Sequence, residues 1–202
     1  MSLEQNPISS YHAKFVENLA RSRVTQTIFE QMFREGFGYY VYPLGYEYSA
    51  PEMVDHRKDN GPISEDFDKI RNQPDFRIYT ANAPRNVSLV EVKYQRQKIN
   101  KYLLADVEEL FQMWPTSHIF LATQENFFMS TCKYILDSQG DIMPFSECGF
   151  IENLDDLGKR KIQAYYEILK KVLGVTNKLT EEPEKYTPRK VDNGSTTLWF
   201  FR

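Results

Sequence analysis

Two stretches decide how this chain is read: Gln73-Pro74-Asp75-Phe76-Arg77-Ile78-Tyr79-Thr80, and then Ser88-Leu89-Val90-Glu91-Val92-Lys93-Tyr94. Asp75–Thr80 alternates apolar and polar residues, as a half-buried strand does. Asn82-Ala83-Pro84-Arg85-Asn86 has the composition of a turn. Val87–Tyr94 then reads as a returning strand, and adjacency makes the pair a hairpin. Side chains two apart on a strand share a face, so Glu91 and Lys93 are neighbours while Val92 points the other way. Hairpin pairing brings Asp75 toward the same edge. Two carboxylates and an ammonium thereby converge.

That set suits hydrolysis of a phosphodiester. Two hard oxygen ligands hold Mg²⁺ or Mn²⁺ and leave positions open for phosphate and water. The metal acidifies its bound water and offsets charge growing on phosphate, and a lysine beside it orients the nucleophile or meets that charge. Glu91-Val92-Lys93 is the one acid-x-lysine tripeptide in the chain. Its place in an apolar strand gives it weight, because charge there is costly unless paired or liganded. The plain alternative is a salt bridge on an exposed strand face.

Working outward, Ser9 or Ser10 caps a helix reaching about Glu35, with Phe15, Leu19, Val24, Ile28 and Met32 as its stripe and Gly36 as its stop. Val24 breaks the strict register, which leaves open two helices joined near Ser22. Residues 37 to 48 read as a strand or tight pair, broken by Pro43 and Gly45. Residues 49 to 72 read as a long charged loop. After the hairpin come a helix over about Asn100–Met113, ended by Pro115, and a buried strand at His118–Thr123. Residues 127 to 150 stay ambiguous around a turn at Ser138–Asp141. Asp155 caps a last helix through Leu173, with Ile162, Tyr166, Leu169 and Leu173 on one face. These elements define one domain over residues 1–173, with its core at about 20–123. The tail 174–202 is expected to dock on it through Leu198-Trp199-Phe200-Phe201.

The order α-β-β-β-α-β and the motifs Gln73-Pro74-Asp75-Phe76 and Leu89-Val90-Glu91-Val92-Lys93 resemble the PD-(D/E)xK nuclease superfamily, which includes restriction endonucleases and Holliday junction resolvases. The resemblance covers roughly residues 20–123. It implies an α/β restriction-endonuclease-like core, a mixed central sheet flanked by helices. It also implies a Mg²⁺- or Mn²⁺-dependent endonuclease acting on DNA. Asp75, Glu91 and the backbone carbonyl of Val92 would be the metal ligands, and Lys93 would assist the attacking water. Many members add an acid from the first helix. Glu30 is the natural candidate, with Gln26 and Glu47 as substitutes. Gln95 shares the face of Glu91 and Lys93 and joins the catalytic set.

Arg85, Arg96, Lys98 and Lys101 are candidate contacts to nucleic acid, the last three leading into a helix N-terminus that suits phosphate. Arg21 and Arg23 could extend that surface. The net charge of −3 weakens a crude nucleic-acid reading, because non-specific DNA binders usually carry a basic excess, but it leaves a local basic surface open. Aromatics at 14% of residues supply ample core bulk, and the run Tyr39, Tyr40, Tyr42, Tyr46, Tyr48 favours β-structure. His12, His56 and His118 are scattered without ligand spacing. Cys132 and Cys148 are too few for a zinc site and read as free thiols in a reducing cytoplasm. No apolar run reaches the roughly 20 residues of a membrane span, so a soluble cytoplasmic protein without membrane contact is expected. A homodimer would suit cleavage of both duplex strands. The competing expectation is a nuclease-fold protein that binds nucleic acid or protein without turnover.

Overall fold

His118–Ala122 (β4) is the strand around which the other elements are arranged. Phe120 and Ala122 project to one side, Ile119 and Leu121 to the other, and all four are fully enclosed. Such a two-sided apolar strand belongs inside a sheet with helices on both faces. The computed structural model describes residues 10–45, 72–80, 86–96 and 101–174, and it has that architecture. Five strands lie in the order β1 (Tyr39–Pro43), β2 (Phe76–Thr80), β3 (Ser88–Tyr94), β4 and β5 (Phe127–Thr131). The pairings β1–β2, β2–β3 and β4–β5 are antiparallel, and β3–β4 is parallel. The chain is α/β, a mixed sheet flanked by helices.

One face packs on α1 (Ser10–Gln31), the wide π-type turn Met32–Gly36 that continues it, and the last helix α4 (Asp156–Val172). Phe29 lies between Phe76 of β2, at 5.2 Å between ring centres, and Phe120 of β4, at 5.0 Å. Each such buried ring contributes roughly 1.5–3 kcal/mol through apolar burial. The helix runs through Ser22 without a break, but only its second half is packed. Thr25, Ile28, Phe29, Met32 and Phe33 are buried, whereas Phe15 and Leu19 of the expected stripe are exposed.

The other face is covered by α2 (Lys101–Met113) and α3 (Cys132–Asp137). Leu103, Val107 and Leu110 of α2 meet Ile119 and Leu121 of β4 and Phe128 of β5. The Thr131 hydroxyl caps α3 by accepting from the Tyr134 N–H, which resolves the ambiguous region after residue 127 as a strand followed by a short helix. Asp155 caps α4 as its position suggests, accepting from Gly158 N–H at 2.7 Å. Gly158 lets Leu154 pack close, since a Cβ there would stand 2.4 Å from Leu154 Cδ1 and push that side chain aside.

Within the stretch 37–48, expected as a strand or tight pair, a strand covers Tyr39–Pro43, and residues 46–48 lie outside the described residues. Gly38, at φ +71°, makes the bend that leads into the strand. The loop 49–72 lies outside the described residues except for Asn72, as do the hairpin turn and the tail with its Leu198–Phe201 run. Among the described residues no helix is long and apolar enough to cross a membrane.

Candidate functional site

The β2–β3 ladder stops early, and its last pair sets up the site. Phe76 faces Val90. One step further the register sets Asp75 opposite Glu91, and one more sets Pro74 opposite Val92. A pair at the Val92 position would exchange two backbone hydrogen bonds. Pro74 has no N–H to give the Val92 carbonyl. The Val92 N–H instead donates to Asp75 Oδ2 at 2.8 Å. The strands therefore part with a carboxylate in the opening, and the carbonyl of Val92 loses its ladder donor.

Asp75 is held from three sides. Its backbone oxygen accepts from the N–H of Leu44 at 2.8 Å, just beyond β1. Its Oδ2 is on β3, and its Oδ1 accepts from Gln26 Nε2 of α1 at 2.8 Å. Gln26 in turn accepts from Arg23 at 3.2 Å, so a guanidinium polarises the amide that holds the acid. Asp75 is only 8% exposed. A buried carboxylate is tolerated when donors surround it in this way.

Glu91 is treated differently. Its side chain is 9% exposed, and Oε1 lies 3.1 Å from Lys93 Nζ. Oε2 is buried without a hydrogen-bond partner. Leaving a carboxylate oxygen bare costs free energy, so a native chain that does so calls for an explanation. Lys93 is also 3.3 Å from Asp106 of α2. Glu91 and Lys93 share the sheet face of α2, while Val90 and Val92 pack in the core on the side of α1. Strand alternation put them there, as the sequence implied.

Near Glu91 the core holds a polar pair, Ser117 and Cys132. Cys132 Sγ is 3.2 Å from Ser117 Oγ, and the Cys132 N–H donates to the Ser117 carbonyl at 2.9 Å. Burial pushes the Cys132 thiol up to about 11, the Ser117 contact opposes this, and the Glu91 charge adds to it. Both cysteines are free.

The remaining candidates divide. Gln95 continues the face of Glu91 and Lys93, and its Oε1 is likewise buried without a partner. Glu30 pairs with Arg34 at 3.0 Å, one turn along α1 from the residue that reaches Asp75. Gln26 holds the position for which an acid was sought. Arg96 is exposed at the end of β3. Arg85, Lys98 and Glu47 lie outside the described residues, and so does the side chain of Lys101. Arg21 pairs with Glu17. Sequence reasoning missed Asp106. The signal was there, since Asp106 sits beside Val107 and three residues after Leu103, on the helix face turned to the sheet.

Among the described residues, no three His, Cys, Asp or Glu side chains are grouped to hold a metal. The sequence-expected donors are fewer, the Asp75 and Glu91 carboxylates and the Val92 carbonyl, and they sit on the facing ends of β2 and β3. Mg²⁺ is a cation that takes only one or two carboxylates and keeps several waters. No protein-family model, curated protein or solved structure matches the chain.

Proposed function

We propose that this protein is a Mg²⁺- or Mn²⁺-dependent nuclease with a restriction-endonuclease-like core, cutting phosphodiester bonds in DNA. One observation carries the reading. Glu91 is buried with a carboxylate oxygen that no donor satisfies, in register with Asp75 at the point where β2 and β3 part. The element order supports it too: a helix, three antiparallel strands, a helix, then a strand parallel to the third.

In this reading Asp75, Glu91 and the Val92 carbonyl hold the ion. When bound, it would acidify a water and offset charge on the phosphate. Gln26 fixes the rotamer of Asp75 by donating to Oδ1. Lys93 keeps its ammonium at the rim because Glu91 and Asp106 pull it from two sides. From there it meets the negative charge that develops on the phosphate. Arg96, exposed at the end of β3, would contribute to the path of the backbone.

A second reading is a nuclease-fold protein that binds without cutting. It is favoured by the occupied state of the acids: both Asp75 oxygens accept hydrogen bonds, and Lys93 sits on Glu91 Oε1. Incubation of supercoiled plasmid and labelled oligonucleotides with the protein separates the two. The nuclease reading expects cleavage with Mg²⁺ or Mn²⁺, abolished by EDTA and by Glu91→Gln. Binding with no cleavage in either metal supports the second.

A further inference from the structure

Among the described residues, α2 covers the sheet face that carries Glu91 and Lys93 over β3, β4 and β5. Over β1 and β2 that face presents tyrosines. Val41 of β1 and Phe76 and Ile78 of β2 point into the core on the side of α1, so Tyr40, Tyr42, Arg77 and Tyr79 project to the other face. Tyr40 is 49% exposed and Tyr42 39%.

The register sorts these residues into rows. Tyr42 faces Arg77, which faces Leu89, and Tyr40 faces Tyr79. The next row after Tyr42–Arg77–Leu89 is Leu44–Asp75–Glu91. Successive rows are two residues apart, about 6.7 Å at the usual strand rise. The rings form an ordered set. Tyr42 and Tyr79 are stacked, with centres 5.8 Å apart and planes at 12°. Tyr40 and Tyr79 are 5.4 Å apart. The Arg77 guanidinium lies 5.2 Å from the centre of the Tyr42 ring, and the two phenols touch at 3.4 Å. Neither strand contains an acidic residue.

We propose that this open face of β1 and β2 is a stacking platform for unpaired bases of single-stranded nucleic acid, laid one row from Asp75 and Glu91. The proposal deepens the nuclease reading and rests on it for what lies at the end of the strand. Flat π-faces accept any base, which gives affinity without sequence preference. Arg77 supplies the positive charge that a phosphate backbone needs, and a guanidinium beside aromatic rings stacks as well as pairs. A duplex hides its base faces, so the platform selects unpaired strands.

The test is binding of a fluorescein-labelled oligothymidylate of about 16 nucleotides, a length that spans such a site, against a duplex of equal length, in EDTA. The native protein is expected to prefer the single strand. The pair Tyr40→Thr with Tyr42→Thr, which keeps β-formers in the strand, is expected to weaken it by about tenfold or more, consistent with the loss of one or two stacked bases. Tyr42→Phe keeps the ring and is expected to bind as the native chain does. Equal binding by native protein and the Thr pair, or preference for the duplex, overturns the proposal. So does a native dimer that the Thr pair dissociates and the oligothymidylate does not, since a second copy then covers the face. The two readings fail separately. A chain that binds through the tyrosines in EDTA but cuts nothing with Mg²⁺ removes the nuclease alone. One that cuts with Mg²⁺ while the Thr pair binds and cuts unchanged removes the platform alone.

Discussion

Asp75 Oδ2 accepts a hydrogen bond of 2.8 Å from the backbone N–H of Val92, the residue between Glu91 and Lys93. The link ties the two halves of the motif through the backbone. Pro74 makes it possible, because a residue with an N–H at that position could continue the ladder and fill the gap. A proline–acid pair facing an acid-x-lysine strand is thus a way to end a strand pairing.

Removing the Asp75 carboxylate should cost stability as well as function. Asp75→Ala leaves the buried Gln26 amide and the Val92 N–H without their acceptor, which costs about 1–3 kcal/mol. Asp75→Asn retains one acceptor oxygen and should lose less. Urea unfolding measures both.

Glu91 should behave in the opposite way. Its Oε2 has no partner and its charge is buried, so Glu91→Gln removes a cost. Lys93 keeps Asp106. The variant is expected to unfold within about 1 kcal/mol of the native chain, or later, while cleavage disappears. Functional groups held against stability commonly behave so. Marked destabilisation in urea would mean Glu91 is a structural acid.

Lys93→Met reverses the asymmetry, since it leaves the Glu91 carboxylate buried without its ammonium. It should be the more destabilising of the two, by roughly 1–3 kcal/mol. Cleavage should fall about 10²–10³-fold, as when one charge-stabilising donor is lost. Parallel unfolding curves and single-turnover rates for the two variants give the comparison.

His118 predicts an acid-side loss of stability. Burial lowers its pKa from the usual 6.5, partly opposed by a hydrogen bond to the Leu89 backbone. As pH falls below 6.5 the unfolded chain takes up the proton first, so stability present above that value is lost as pH drops toward the folded pKa. His118→Phe, whose ring can keep the edge contact to Phe150 at 5.1 Å, should flatten this limb. Urea midpoints at neutral and mildly acidic pH show whether it does.

Much of the site was legible because it is local. Strand alternation alone put Glu91 beside Lys93, and the antiparallel pairing of β2 with β3 set Asp75 opposite. The capped helix from Asp155 and the apolar strand at His118 were equally plain, since a side-chain cap and a run of β-formers act within a few residues. What the sequence did not reveal depends on packing between distant elements. Gln26 reaches Asp75, and Glu30 does not, because the axis of α1 over the sheet decides which turn faces the strand ends. Asp106 meets Lys93 only once α2 is laid on β3. Phe15 and Leu19 have helical spacing, yet spacing cannot tell a packed half of a helix from an exposed one. The tyrosines of β1 signalled a strand, and the paired register with β2 was needed to turn them into a surface.

A divalent ion bridging Asp75 and Glu91 is what the nuclease reading requires, and diffraction from crystals grown with MnCl₂ locates it. The predicted anomalous peak lies about 2.1 Å from an oxygen of each carboxylate and from the Val92 carbonyl, with Glu91 Oε2 as one of its ligands. A map with no peak between the two acids at saturating Mn²⁺, and with Glu91 still turned onto Lys93, would contradict it.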